Sequence, residues 1–289
     1  MGTPAVCEIL LATVLSLTVA IASANIIDLT YEYANQPDMV YWPGFQTWNT
    51  STVLKGWTAD GFYVEANTFC TAEHGGTHMD APRHIIEGAR GINEIELNEV
   101  IGDAVVVDVS RKTANDPDYQ ATIEDIENWE HDYGRIRPGS IFLLNTGWHR
   151  YWPDKERYLG TATSDTSLIH FPGIHETAME WLVQNRNIKM YGVDTISLDY
   201  GQARDRPVHK ILLGKNIPGL ENVANLDSMP PSGARVFAIP MNIRDGTGAA
   251  TRVFAVIDGA TMQHASVTLI TAAMAVCSLV VSSALMSPE

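Results

Sequence analysis

Eleven residues constrain this chain more than any other stretch: His74-Gly75-Gly76-Thr77-His78-Met79-Asp80-Ala81-Pro82-Arg83-His84. Three of the nine histidines fall here with one carboxylate, and the potential ligands at 74, 78, 80 and 84 share one parity. Side chains of an extended chain alternate faces with period two, so all four can point to one side. A helix fits worse, because Gly75-Gly76 weakens it, Pro82 interrupts it, and Asp80 swings away from the pair His74/His78. The expectation is a strand with an inward polar face running into a tight loop.

Neutral imidazoles plus a carboxylate are the ligand set of Zn²⁺, Mn²⁺ or Fe²⁺, and no clustered cysteines compete for the role. Two chemistries use such a set. His78-x-Asp80 with a distant histidine, His209 being the best placed, is the facial triad of non-haem iron oxygenases. That reading leaves His74 and His84 idle, and no arginine follows His209 at the distance where those enzymes hold a cosubstrate carboxylate. Hydrolysis uses the whole cluster. Two imidazoles and a carboxylate hold a metal that activates water as hydroxide, and the remaining histidine passes a proton to the leaving amine.

The two ends read as processing signals. Ile9 to Ala22 is apolar and runs into Ala22-Ser23-Ala24, a small-x-small cleavage site, so residues 1–24 are expected to be a signal peptide. At the other end Val267 to Met286 has no charge, a length of about 20 residues that could cross a bilayer. Asp258-Gly259-Ala260 and a short polar run precede it, and no Lys or Arg follows Arg252. Residues 259–289 therefore suggest a GPI-anchor signal over a transmembrane helix. This places the protein in the secretory pathway, extracellular and tethered to the cell surface.

Between these ends lie residues 25–258, enough for one α/β domain. The full chain carries 19 basic and 34 acidic residues, a net charge of −15. Such a balance excludes nucleic acid and docking on anionic lipid through a basic patch. Cys7 and Cys277 fall in the ends, so Cys70 has no partner for a disulfide and is expected as a buried free thiol.

Along the chain, Asn25 to Thr30 reads as a short strand. It leads into an irregular aromatic segment, Tyr31 to Trp57, that packs over the core, lines a pocket or meets another subunit. Asn49-Thr50-Ser51 is a glycosylation sequon. Strands are expected at Phe62–Phe69, Ala104–Val109, Ile141–Leu144, Tyr191–Val193, Val236–Ile239 and Arg252–Ile257. Helices are expected at Thr122–His131 with Thr122 as cap, at Ile174–Gln184, and from Asp205-Arg206-Pro207 to Gly214 with Asp205 as cap. No glycine-rich phosphate loop follows any strand. Taken alone, His209 reads as structural and Glu221 as a solvated acid.

The eleven-residue stretch resembles the His-x-Gly-Thr-His-x-Asp-x-Pro-x-His signature of the cyclase-like hydrolases, which include bacterial-type kynurenine formamidase and isatin hydrolase. Asn145-Thr146-Gly147-Trp148, Phe171-Pro172-Gly173, Gly192-Val193-Asp194-Thr195 and His209 to Glu221 also resemble landmarks of that family, in order. The resemblance implies a single mixed α/β barrel-like domain. It implies His74, His78 and Asp80 as ligands of one divalent ion, Zn or Mn. Asp80 would bridge to a second ion held by His209 and Glu221, and His84 would be the general acid/base. It further implies a homodimer or homotetramer, with Trp42, Phe45 and Trp57 as a lid over a planar aromatic substrate. The function it implies is arylformamidase, N-formyl-L-kynurenine to L-kynurenine and formate. Opening of a cyclic amide such as isatin is the nearest alternative; an iron oxygenase or a non-catalytic surface glycoprotein are alternatives of another class.

Overall fold

In the computed structural model the described residues are 25–257; the expected leader, the hydrophobic tail, Cys7 and Cys277 lie outside them. Twelve strands form: β1 (Asn25–Asp28), β2 (Asn49–Trp57), β3 (Tyr63–Cys70), β4 (His78–Asp80), β5 (Ile101–Asp108), β6 (Gln120–Ala121), β7 (Ile141–Asn145), β8 (Gly173–Ile174), β9 (Met190–Val193), β10 (Gly219–Glu221), β11 (Ser232–Pro240) and β12 (Gly248–Ile257). The main sheet runs β1-β12-β11-β5-β7-β9-β10-β4, and β4 pairs back onto β12. Seven strands thus close into a mixed α/β barrel, as expected.

The continuous apolar runs that mark β5, β7 and β9 are buried on both faces because helices cover the outside of the barrel. Parallel register aligns Val105 with Phe142 and Val107 with Leu144, then Phe142 with Tyr191 and Leu144 with Val193. This outer row packs against Ile126, Trp129, Ala178, Leu182, Val208 and Leu212 from the helices Ile123–Tyr133, Glu176–Asn185 and Pro207–Gly214. Residues of the other parity, Val106 and Leu143 among them, face the barrel interior beside Gly192, where a Cβ would come within 2.7 Å of Leu143. A second apolar cluster joins Val40, Trp148, Tyr158, Ile169, Phe171 and Ile196.

Four expectations need correction. Asn49–Trp57 is not irregular but strand β2, paired antiparallel with β3 in a two-stranded sheet of its own. Because that hairpin lacks a covering layer, Cys70 at its end is exposed rather than buried. The third helix has no Asp205 cap. Arg206, at φ 52°, precedes it without a side-chain cap. The carboxylate of Asp199 instead accepts from the N–H of Val208 at 2.7 Å and of His209 at 3.4 Å. Finally, Ile174 belongs to β8, so the helix after it starts at Glu176, with the His175 side chain accepting from Thr177 N. Among the described residues no helix is long and apolar enough to cross a membrane.

Other expected elements hold. Thr122 caps its helix, and Asp125 returns the bond to the Thr122 N–H at 2.8 Å, closing a capping box. Asp125 also accepts from the Tyr119 hydroxyl at 2.7 Å and from Lys112. Burial pushes this carboxyl up, but Lys112, the Thr122 N–H and Tyr119 outweigh it and hold it below its ordinary range. Asp125→Ala is therefore expected to cost about 1–2 kcal/mol in urea unfolding near pH 7. The difference from wild type should shrink as pH falls below about 4, where the unfolded carboxyl already takes its proton. A constant difference down to pH 3 would refute this role.

Candidate metal centre

The centre forms where the barrel closes. β4 is only three residues long because it fills the gap between β10 and β12, with Glu221 and Ala250 opposite His78, and Gly219 and Gly248 opposite Asp80. Met79 and Leu220 turn to the interior side, so His78, Asp80 and Glu221 share the outer face beneath the helix Pro207–Gly214, which supplies His209. Extended backbone is confined to β4. His74 lies in the turn before it, and His84 ends a 3-10 turn begun by Pro82. One uninterrupted strand does not carry all four residues, as parity had suggested; the turns bring them together. The rings of His74 and His84 lie 4.0 Å apart between centroids, and those of His84 and His209 5.8 Å.

Each candidate ligand atom is aimed by a partner on its other side. His78 Nδ1 donates to the Gly76 carbonyl at 2.9 Å, leaving Nε2 with its lone pair free. That Nε2 lies 3.3 Å from Asp80 Oδ1 and 3.2 Å from Glu221 Oε2. His209 Nδ1 donates to Asp199 Oδ2 at 2.5 Å, which turns its Nε2 to within 3.3 Å of both Asp80 Oδ2 and Glu221 Oε1. Glu221 is held by the Leu198 N–H at 2.9 Å. His74 Nε2 meets Thr247 Oγ1 at 2.9 Å, and that hydroxyl gives its proton to Glu73 at 2.6 Å. The hydroxyl can therefore only accept from His74, which assigns the proton to Nε2 and leaves Nδ1 facing Asp80 Oδ1 at 2.7 Å.

Lone pairs of three imidazoles thus converge on two carboxylates in a buried site. Nε2 of His78 and Oδ2 of Asp80 are buried without any hydrogen bond, despite their short separations from neighbours. Positive charge must lie among them, and the groups draw protons to supply it. Burial opposes charge on His78, yet Asp80 and Glu221 beside it lift the imidazole to about 10. His209 rises well above its ordinary value because Asp199, Asp80 and Glu221 outweigh burial. Burial and the Asp80 charge push Glu221 up, but His209 and His78 bring it down to about 2. A divalent cation replaces such protons, and these nitrogen and oxygen donors fit one. Donor atoms of His74, His78 and Asp80 lie within 4.8 Å of one another, as do those of Asp80, His84 and His209, so Asp80 is common to both groups.

His84 differs from the others. Burial lowers its imidazole to about 4, with His74 and His209 adding to the effect and Asp80 and Glu221 opposing it. It is therefore a neutral base beside the cluster at pH 7. Trp42 and Phe45 line the same small cavity, about 20 Å³, together with His74, His84, His209 and Glu221. Trp57 is not brought there; it is 76 % exposed at the end of β2, edge-on to Tyr63. Asn49 is exposed at the start of that strand. A larger cleft of about 930 Å³, over Arg90, Lys189 and Lys215, touches none of these residues, and donor chemistry rather than volume locates the site.

Sequence reasoning missed Asp199, Thr247 and Glu73, which aim the ligands. Glu73 adjoins His74 and Asp199 lies four residues after the Gly192–Thr195 landmark, while Thr247 had no local signal. The landmarks around Asn145 and Asp194 prove to support one another. Asp194 accepts from Thr146 N at 2.9 Å, Thr146 Oγ1 at 2.6 Å and Trp148 N at 2.8 Å, away from the cluster.

Gly248 shows how closely the site is packed. A Cβ there would lie 2.6 Å from His74 Cε1 and 2.8 Å from the Met79 carbonyl. Gly248→Ala should displace the His74 ring and weaken metal binding by about 10-fold or more, read by competition with a chromogenic chelator. Unaltered affinity would mean that His74 contributes nothing to the centre.

The chain is similar to known proteins over most of its described length. Residues 27–200 match the family model described as putative cyclase. The isatin hydrolase of Roseibium aggregatum is 33% identical over 212 residues, covering 71% of this chain and 79% of that protein. A kynurenine formamidase of Salinibacter ruber is 27% identical over 224 residues, 75% and 91% of the two chains. The structure of isatin hydrolase A from Ralstonia solanacearum superposes with a TM-score of 0.73 at 29% identity, covering 89% of this chain and 99% of that one. The chain belongs to the cyclase family of hydrolases.

Proposed function

We propose that this protein is a metal-dependent hydrolase of amides on an aromatic amine, and that N-formyl-L-kynurenine, cleaved to L-kynurenine and formate, is its leading substrate. The observation that carries the reading is the junction of two unlike parts. Imidazoles and carboxylates that draw protons meet at Asp80, and His84, within ligand reach of Asp80 and His209, is the one imidazole among them that burial lowers, to about 4. A divalent ion held by His74, His78, Asp80, His209 and Glu221, one or two per subunit, would polarise an amide carbonyl and bring water towards ionisation near pH 7. Zinc and manganese both suit the donors.

The chain's own groups supply the rest. Water adds to the carbonyl carbon as an imidazole nitrogen of His84 takes its proton, and the same nitrogen returns a proton to the amine nitrogen as the C–N bond breaks. Trp42 and Phe45 offer aromatic surface beside His84 for the aryl ring. Isatin stands as a second reading because a relative of that name shares 33% identity, and isatin carries the same aryl-N–C(=O) bond in a ring. The iron-oxygenase alternative accounts for fewer groups, since Glu221 and His74 also converge on the cluster. A non-catalytic glycoprotein would have no need of His84.

The same proposal extends to assembly and location. The exposed apolar side chains of β2 and β3, including Val53, Leu54, Trp57 and Phe69, support a homodimer or homotetramer in which Trp57 reaches a neighbouring site; light scattering of the purified protein tests this. A secretory location with a glycan on Asn49 is supported by the sequon and its exposure, and the tail beyond residue 258 would hold the protein at the membrane. Glycosidase treatment and phospholipase release from cells test the two points.

Full-length protein should hydrolyse N-formylkynurenine, lose activity to a chelator and regain it with Zn²⁺ or Mn²⁺, consuming no oxygen. His84→Ala should retain metal and lose at least about 100-fold in kcat. Metal lost together with activity would move His84 into the ligand set. Inertness towards N-formylkynurenine, isatin and formanilide alike would refute the proposed reaction.

A further inference from the structure

The cavity at the cluster, about 20 Å³, has room for about one water and not for an aromatic amide. It shares Trp42, Ser197 and Arg206 with an adjoining chamber of about 260 Å³, which also takes in Phe171 and Arg204. A substrate whose carbonyl reaches His84 must therefore lay the remainder of its body across that shared wall. Arg206 is the only cationic side chain bordering both spaces, and Arg204 borders the larger one.

Arg206 is placed but not paired. Its guanidinium lies 5.7 Å from the centroid of the Trp42 ring, within cation–π range. Among the described residues neither Arg206 nor Arg204 has a carboxylate partner. The acid between them, Asp205, lies 3.5 Å from Lys210 on the helix behind. The next acid, Asp199, spends its oxygens on Val208 N and His209. Arg206 also sits at φ 52°, a left-handed conformation that is unfavourable for a residue with a side chain. In a protein of net charge −15, an unpaired, half-buried guanidinium beside the reaction site stands out against a field that repels anions.

We infer that Arg206, resting on Trp42 and assisted by Arg204, is the anchor for a carboxylate carried by the substrate. This rests on the amide-hydrolase reading above and selects within it: an acyclic aryl formamide with an amino-acid side chain fits, and a neutral ring amide leaves the anchor unused. The aryl ring lies by Trp42, the formyl group points to His84, and the carboxylate enters the larger chamber, where a planar guanidinium can bind both its oxygens.

The test compares N-formylkynurenine with formanilide, which has the same aryl formamide and no carboxylate, in wild type, Arg206→Gln and Arg206→Lys. The ratio of kcat/KM for the two substrates should fall at least tenfold in Arg206→Gln, through KM rather than kcat, and recover in part in Arg206→Lys. Quenching of tryptophan fluorescence by L-kynurenine, set against 2-aminoacetophenone, should show the same loss of preference without turnover. Equal losses for both substrates, or no loss, overturn the anchor while leaving the hydrolase reading intact. If wild type turns over neither substrate nor isatin, the hydrolase reading fails, and the binding comparison still decides the anchor: equal affinity of wild type for the two ketones overturns it.

Discussion

Two buried carboxylates in contact with the same imidazoles set the terms for this site. Asp80 and Glu221 both approach His78 Nε2, and both approach His209 Nε2, while His74 presses on Asp80 from a third side. Such charges are tolerated away from water only with cations between them. The partners behind each ligand show which kind. Gly76, Asp199 and Thr247 occupy the outward nitrogens of His78, His209 and His74, so the inward nitrogens converge as donors. A set built only for ion pairing would not need each tautomer fixed from behind.

The barrel serves this arrangement by how it closes. Its last gap is filled by a strand of three residues whose two outward side chains, His78 and Asp80, are both candidate ligands. Glycine stands opposite Asp80 on each flank, Gly219 and Gly248, so no side chain competes for the space over that carboxylate. The turn leading into β4 is itself fixed. Asn222 Nδ2 donates to the Gly76 carbonyl at 2.8 Å, and the Thr77 hydroxyl donates to the Asn222 carbonyl at 2.6 Å. Residues next to Glu221 therefore lock the segment next to His78, and the two halves of the centre form together.

Much of this was legible in the chain, for reasons that differ by element. β5, β7 and β9 were visible because strands covered on both faces need continuous apolar runs, and the helix at Thr122 because a capping box is local. The cluster was visible because three histidines with one aspartate have few other uses. His209 and Glu221 could not be found from periodicity. Each is one polar residue in an apolar stretch, and only the family resemblance joined them to Asp80. Shared parity marks the right residues without giving their geometry, since His74 and His84 arrive through turns. Strand β2 was missed because the aromatic segment around it has no alternating period, and Cys70 was misjudged because alternation in β3 reports pairing and not whether a covering layer exists. Asp199, Thr247 and Arg206 matter through tertiary contacts spanning 10 to 173 residues, which no local pattern records.

If the Asp80 carboxylate joins His74 and His78 to His209 and Glu221 in one centre, metal binding depends on its charge. Equilibrium dialysis of Zn²⁺ or Mn²⁺ into chelator-stripped full-length protein, wild type beside Asp80→Asn, tests it most directly. Wild type should take up metal stoichiometrically and Asp80→Asn none at the same free metal, with circular dichroism showing the same fold. Wild-type uptake by a folded Asp80→Asn would contradict it.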